Sequence, residues 1–244
     1  MAKEEPRKYL ALVLSNNWLS KEVFHLSLNI QTPFQAGQYM MMHLPEYALS
    51  DKRLSNHQEH ERKKPKAYSI ASPPSWNDHL EFLIALKDGG VVSPYLASLK
   101  EGDSVPVKGP LGKFVIKEIK KEFTFIATGT GIAPFRSMIH DLLKKNPKQQ
   151  INLFYGFRSE HDFLLQEEWS ELAKKYEHFR LVATCSRPNG TWSGLEGRVT
   201  SYLHEIPVMD NDVYICGSEP MIHDTKHVLE KRGFEKGQVH IEIW

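Results

Sequence analysis

Hydrophobic positions fall into two regimes along this 244-residue chain. From residue 9 to about 119 they come in short runs closed by turn residues: YLALVLS, VFHLSLNI, GQYMMMHLP, KAYSIAS, HLEFLIAL and DSVPVKGP. Short strands rich in Val, Ile, Leu and aromatics, with Gly, Pro and polar punctuation, predict an antiparallel β-barrel or sandwich. One short helix is predicted inside it, SPYLASLK over 93–100, with Ser93 as N-cap and Pro94 as first helical residue.

From Phe123 the period changes. FTFIATG reads as a buried strand, and Phe135, Met138, Ile139, Leu142 and Leu143 then recur at helical spacing over 134–145. The alternation repeats. INLFYGF precedes a helix through Trp169, Leu172 and Tyr176; FRLVATC precedes one through Val199, Tyr202 and Leu203; DVYICG precedes one through Met221, Val228 and Leu229. QVHIEIW closes the chain as a last strand. Such alternation predicts a parallel sheet with helices on both faces, its ligand crevice at the carboxyl ends of the strands. The expected organisation is two domains, an antiparallel β-barrel over 1–119 and a Rossmann-like α/β domain over 120–244, divided near the charged stretch 117–122. Residues 49–64, LSDKRLSNHQEHERKK, fit neither regime and read as an exposed loop. His57 and His60 lie there, but no Cys or third His nearby completes a site, so no metal is expected.

Composition narrows the class. Lys+Arg is 31 against 30 for Asp+Glu, and a net charge of +1 gives no electrostatic case for nucleic acid. No apolar run approaches the roughly 20 residues of a membrane span, and MAKEEPRKYL lacks the apolar region of a secretory signal. Two cysteines, Cys185 and Cys216, are too few for an iron–sulfur cluster, which takes about four. They read as reduced thiols. A cytoplasmic monomer without nucleic-acid or membrane partners is the expectation.

The candidate chemistry lies at strand ends. In ATGTGIAPFRSM (127–138) a strand turns into a helix; Gly129 and Gly131 permit close approach to the backbone, and the helix start offers N–H groups and a positive dipole end to phosphate. Pro134 suits the first helical turn. The spacing is not G-x-G-x-x-G, and by itself the segment is equally well a tight turn. Further along, YGFRS leaves Arg158 past one strand, TCSRP leaves Ser186 and Arg187 past another, and GRVT sets Arg198 at a helix start. Arginines around one crevice suit a phosphorylated ligand, which guanidinium binds bidentately; each one singly reads as a surface residue. YICGSEP ends a further strand in Cys216 and Gly217, with Ser218 placed to cap the next helix. On spacing alone Cys216 reads as a small buried hydrophobe.

Taken in order, the landmarks GQY (37–39), KAYSIAS, GGVVSPYL, GPLGKF (109–114), GTGIAPF, YGFR, CSRP, ICGSEPM and a terminal aromatic resemble the ferredoxin–NADP reductase superfamily over nearly the whole chain. The resemblance implies a flavin-binding barrel followed by a nucleotide-binding α/β domain. It implies FAD held by Lys66, Tyr68 and Ser69, with the basic residue at the diphosphate, the tyrosine against the ring or ribose and the serine near the flavin N5. Period-2 geometry sets Lys66 and Tyr68 on one strand face. Lys66 stands where the superfamily usually has arginine, and supplies a point charge without the bidentate fork; Arg62 and Lys64 are candidates to share its task. GGVVS resembles a second diphosphate site, through Gly90, Val91, Val92 and Ser93, which favours FAD over FMN. Ala67, Ile84 and Leu86 complete the flavin contacts.

Thr130, Gly131, Ile132, Ala133 and Pro134 would meet NADP or NAD, with Ser186 and Gly217. Arg158, Arg187 and Arg198 match positions that hold the 2′-phosphate in bacterial NADP-using members, so NADPH is the expected donor, although SRPNGTWSGLEGRVT also resembles NADH-using oxygenase reductases. Trp244 in the final EIW would stack on the flavin face that nicotinamide must reach. Cys216 and Glu242 match positions bordering Ser69, so Ser69, Cys216, Glu242 and Trp244 are the catalytic candidates. The implied activity is hydride transfer from NAD(P)H to FAD, with electrons passed to a ferredoxin, flavodoxin or oxygenase component. The alternatives are a reductase using free flavin as substrate and a non-catalytic cofactor-binding scaffold.

Overall fold

The structure is a computed structural model that describes residues 6–46 and 64–243. His57, His60, Arg62 and Trp244 lie outside the described residues, with nearly all of the 49–64 stretch. Two compact units divide the chain, Met1–Val115 and Ile116–Trp244. The division falls just before the charged stretch that marks the change of period.

The first unit carries β1 (Arg7–Trp18), β2 (Val23–Leu28), β3 (Tyr39–Met42), β4 (Lys66–Ser69), β5 (Leu80–Ala85), α1 (Val92–Ser98) and β6 (Ser104–Leu111). The strands form one antiparallel sheet in the order β4-β3-β6-β1-β2-β5. Its two outer strands meet where the Ala71 N–H donates to the Glu81 carbonyl at 2.7 Å, so the sheet nearly closes into a barrel. Closure hides the edges that an open sheet would expose. Alternate residues fill the interior: Ala11 and Val13, Phe24, Leu26 and Leu28, Met40 and Met42, Phe82 and Ile84, Val105 and Val107. YLALVLS looks apolar on both faces, yet only one is covered. Leu10, Leu12 and Leu14 point outward, Leu10 at 71% exposure.

The short helix starts two residues earlier than expected. Val91 is the N-cap of α1 and Ser93 lies inside its first turn, because the Ser93 hydroxyl accepts the Lys87 N–H at 3.0 Å and closes the 87–93 turn instead of capping. At the other end Asn16 of β1 donates through Nδ2 to the Leu99 carbonyl (2.8 Å) and to the Leu96 carbonyl (3.0 Å), which also accepts the Leu99 N–H, so one side chain closes the end of the helix. Asn16→Ala is therefore expected to lower stability by about 2 kcal/mol, read as a shifted midpoint in urea unfolding with an unchanged slope.

The second unit carries β7 (Glu122–Thr128), α2 (Ile132–Lys145), β8 (Gln150–Phe157), α3 (Gln166–Lys175), β9 (Phe179–Cys185), β10 (Leu195–Glu196), β11 (Asn211–Gly217), α4 (Glu219–Lys231) and β12 (Val239–Ile243). All the strands are parallel, in the order β10-β9-β8-β7-β11-β12. FTFIAT is buried from Phe123 to Ala127 because both faces are covered. Phe125 packs on Phe135 of α2, ring centroids 5.1 Å apart, while Ile126 joins the opposite cluster with Val199, Leu203, Met221 and Leu229. The expected helix through Val199, Tyr202 and Leu203 is a 3₁₀ segment, Val199–Glu205. It is bounded by Gly197 and Pro207, and Arg232 donates to the Leu203 and Ile206 carbonyls at its end.

Candidate active site

The order in which strands are added to the parallel sheet reverses at β7. Strands β8 to β10 are laid down on one side of it and β11 and β12 on the other, which makes the carboxyl ends of β7 and β11 the topological switch point where open α/β sheets bind ligands. Thr128, Gly129, Thr130 and Gly131 turn there from β7 directly into α2. Gly131 is obligatory: a Cβ on it would lie 2.3 Å from the Cys216 carbonyl oxygen and 2.8 Å from the Gly217 Cα. Gly217 is equally confined, since its Cβ would meet Thr128 Oγ1 at 2.3 Å. Thr128 Oγ1 accepts the Ser218 N–H at 3.1 Å, and the Tyr155 hydroxyl donates to the Gly129 carbonyl at 3.1 Å. The turn is thus pinned from both neighbouring strands, and Gly131 at the N-cap brings no capping side chain to the start of α2.

Expectations for this segment divide. Thr130 is half-buried and Gly129 exposed, whereas Ile132, Ala133 and Pro134 are buried and pack the base of the helix. Ser218 occupies the N-cap position of α4 as predicted, but its side chain makes no capping bond.

Cys216 and Glu242 are register partners on β11 and β12. Both cysteines are buried without a disulfide. Glu242 Oε2 is shielded from solvent and has no hydrogen-bond partner among the described residues. Burial pushes its carboxyl up to about 7, which lets it hold or release a proton at neutral pH. Trp244 lies outside the described residues.

The ends of β8 and β9 come together as expected. The Arg187 N–H donates to the Arg158 carbonyl at 2.7 Å and the Ser186 N–H to the Phe157 carbonyl at 2.9 Å. Arg158, Ser186 and Arg187 are exposed. The Gly197 N–H reaches the Cys185 carbonyl at 2.8 Å, which brings Arg198 alongside, with its guanidinium 3.5 Å from Asp224 of α4.

In the barrel unit, β4 pairs Lys66 with Met42 and Tyr68 with Met40. Lys66 is exposed, while Ala67 and Tyr68 are half-buried. The Tyr68 ring packs on the barrel core and burial raises its hydroxyl pKa. Ser69 is buried, and its Oγ has no hydrogen-bond partner among the described residues. Two corrections arise. Ile84 is fully buried in the barrel core and presents no side chain to a ligand. The Gly90 N–H donates to the Lys87 carbonyl at 2.9 Å, which removes it from the amides open to phosphate and leaves Val91, Val92 and Ser93 as candidates. Leu86, half-buried, is anchored through its N–H to Glu22.

Shielded polar atoms without partners are uncommon in folded proteins, and each calls for an explanation such as strain, a catalytic role, or a bound water, ion or ligand. Ser69 Oγ in one unit and Glu242 Oε2 in the other are such atoms. A shielded hydroxyl of this kind in the barrel unit suits a group, such as a flavin, that carries both donors and acceptors.

Three contributors are not apparent from the sequence: Thr128, Tyr155 and Glu160. The first two act through backbone neighbours that only the sheet register reveals. Glu160 has a visible signal in SEHD (159–162), the S-x-x-D pattern of a capping box. Ser159 and Asp162 form that box around the turn Glu160–Asp162.

Comparison with known proteins agrees with this geometry. An oxidoreductase FAD-binding domain model matches residues 11–116 and an oxidoreductase NAD-binding domain model matches 125–227. The toluate 1,2-dioxygenase electron transfer component of Pseudomonas putida is 29% identical over 94% of this chain and 64% of its own length. The phenol 2-monooxygenase reductase component of Pseudomonas sp. (strain CF600) is 32% identical over 81% of this chain and 54% of its own. The chain thus spans roughly three-fifths of the curated relatives it matches. Among solved structures, a ferredoxin NADP+ reductase from Neisseria gonorrhoeae with bound FAD and NADP has the same fold, at a TM-score of 0.81 and 20% identity over 99% of both chains. The Amycolatopsis cytochrome P450 reductase GcoB aligns at a TM-score of 0.86 and 22% identity, over 100% of this chain and 71% of that one. A flavin-binding barrel followed by a nucleotide-binding α/β unit, matched by both domain models and by that shared fold, makes this chain a member of the ferredoxin–NADP reductase superfamily.

Proposed function

We propose that the chain is an FAD-dependent reductase that takes hydride from a nicotinamide dinucleotide and delivers electrons to a separate protein acceptor. FAD, when bound, supplies the redox chemistry, accepting an electron pair and passing electrons on. The barrel residues Lys66, Tyr68, Val91, Val92 and Ser93 hold it, the first by charge and the last three through amides. The glycine turn takes the donor's pyrophosphate against the start of α2. Ser69 donates or accepts at the flavin edge, and Glu242 beside Cys216 keeps a proton available there. Trp244 is proposed to give way as nicotinamide arrives.

The single observation that carries this reading is the glycine turn, where Gly131 lies so close to the end of β11 that no side chain fits. The acceptor class is a ferredoxin, a flavodoxin or an oxygenase component. Relatives named as electron transfer or reductase components of oxygenases support the last. With two cysteines, these residues cannot hold a four-cysteine cluster, so the acceptor centre lies outside them. On the donor, exposed Arg158 and Arg187 speak for NADPH, while the carboxylates around them speak for NADH.

Anaerobic mixing of the purified protein with NADH, and separately with NADPH, tests the reading by the flavin's visible band. Rapid bleaching by at least one nucleotide is expected. Bound flavin that neither nucleotide bleaches would overturn it. Lys66 favours a second reading, in which flavin is a loosely held substrate, because an exposed lysine lacks the phosphate-gripping fork of arginine. Less than stoichiometric FAD after gel filtration, with activity restored by added flavin, would favour that reading.

A further inference from the structure

We propose that Glu160 chooses between the two nicotinamide donors, accepting a hydrogen bond from the adenosine ribose of NADH and excluding the 2′-phosphate of NADPH. The proposal rests on a nicotinamide dinucleotide binding at the glycine turn. A pyrophosphate placed there, past the end of β7, sends the adenosine across the carboxyl ends of the neighbouring strands β8 and β9. In open α/β sheets an acidic side chain at such a strand end bonds the ribose hydroxyls, whereas a nearby arginine accommodates a 2′-phosphate. Both residue types occur here, so their anchoring decides.

Glu160 is the anchored one. It lies three residues past β8 in the capped turn Glu160–Asp162. Its Oε1 accepts the Asn189 N–H and the Thr191 hydroxyl, each at 2.9 Å, which ties the turn to the loop after β9. That loop is fixed in turn by Trp192, whose ring packs edge-on against Phe157, centroids 5.1 Å apart. Surrounding N–H groups, its own and then that of Asn189, hold the Glu160 carboxyl down to about 2, so it is ionised throughout the working range. Its other oxygen, Oε2, is shielded from solvent and has no hydrogen-bond partner among the described residues, so a ribose hydroxyl reaches it where the exposed 189–191 loop yields. A carboxylate fixed by one oxygen, with the other left for an incoming donor, suits a hydroxyl. A phosphate brings only further negative charge.

The neighbours reinforce the sign. Glu160, Asp162 and Glu196 together raise the Cys185 thiol pKa by their charge, adding to its burial, which places all three carboxylates around the end of β9. Arg198 is drawn to Asp224. Arg158 and Arg187 remain, both exposed at the strand ends. Cations at an exposed edge neutralise part of the field without building a phosphate site.

The test titrates the full chain calorimetrically with NAD+ and NADP+ and measures anaerobic flavin reduction by NADH and NADPH. Wild type is expected to favour the unphosphorylated nucleotide by about tenfold or more in both readouts. Glu160→Gln keeps an acceptor for Asn189 and Thr191 but loses the charge. It should lower the NAD+/NADP+ affinity ratio at least about tenfold, by weakening the first and strengthening the second. A purely structural role would weaken both alike and leave the ratio unmoved, which would overturn the proposal. Thr191→Ala, which removes one loop bond and keeps the carboxylate, should leave the ratio unchanged; an equal shift there would assign selectivity to the loop instead. If Glu160→Gln does not fold, Glu160→Asp replaces it, with a smaller shift in the same direction expected. A wild-type preference for NADPH sinks this proposal while sparing the reductase reading. Failure of both nucleotides to bind or to reduce the flavin sinks the reductase reading itself.

Discussion

Gly131→Ala should slow flavin reduction by NADH and NADPH alike by about 100-fold, the scale on which a misplacement of about 1 Å acts on an oriented reaction. The added methyl would lie 2.3 Å from the Cys216 carbonyl oxygen and 2.6 Å from its carbon. These are backbone atoms of a central strand, and no side-chain rotamer can make room. Either the turn lifts off β11, carrying the start of α2 away from the crevice, or β11 shifts with Cys216 and with Glu242 paired to it. Both distortions fall on the proposed donor site. Overpacking of this kind costs about 3 kcal/mol, so the second unit should also unfold at lower urea. FAD retention is assigned to the barrel and should not change. Gly129→Asn is the control: Gly129 sits at a φ of 55° with nothing within 4 Å of where a Cβ would stand, and Asn tolerates that backbone region. Stopped-flow reduction should find the Asn variant close to wild type. A Gly131→Ala protein that is reduced at the wild-type rate would show that the donor does not approach this turn.

Much of this is legible in the sequence, for identifiable reasons. Burial on both faces writes β7, β8 and β11 as continuous apolar runs, and helical spacing after each marks the α/β half. The barrel strands show through their turn residues. Periodicity does not say which face of β1 is covered: its run YLALVLS is apolar at almost every position, and Leu10, Leu12 and Leu14 lie outside. It fails for β10, whose two residues Leu195 and Glu196 are held by the register with β9 rather than by any propensity of their own. Ser93 misleads because a serine before a proline looks like an N-cap, whereas its hydroxyl serves the Lys87 amide across a turn. At the site, residues whose chemistry is intrinsic, such as Lys66, Arg158 and Glu242, are visible as letters. Those that act by holding backbone, Thr128 and Tyr155, are not, since their partners are set by strand neighbours 90 and 26 positions away.

Replacing Glu242 by Gln should remove a pH dependence that the wild-type protein carries in both stability and rate. The wild-type carboxyl is raised by burial from an ordinary 4.5 to about 7. Below about pH 4.5 it is protonated in folded and unfolded chains alike, and its ionisation costs the fold nothing. Between 4.5 and 7 the unfolded chain releases the proton first, so stability falls as pH rises. Above 7 the folded state must carry a shielded carboxylate, and the cost is complete. A shift of this size corresponds to about 3 kcal/mol at most, and to about 2 kcal/mol once the partial exposure of the side chain is counted. Glu242→Gln keeps the shape without the charge. Its melting temperature should exceed that of wild type only slightly at pH 5 and by about 5 °C at pH 8.5. A catalytic carboxyl is one that a fold would keep at such a cost, and the rate profile tests for it. The rate of flavin reduction should therefore show an ionisation near pH 7 that disappears in Glu242→Gln, together with a lower maximal rate. A variant that gains stability at high pH and keeps the wild-type rate profile would mean that Glu242 is merely buried beside Cys216. The proton at the flavin edge would then have to be managed from Ser69 alone. Melting curves whose difference is the same at pH 5 and 8.5 would remove the raised ionisation itself, and with it the case for Glu242 as proton carrier.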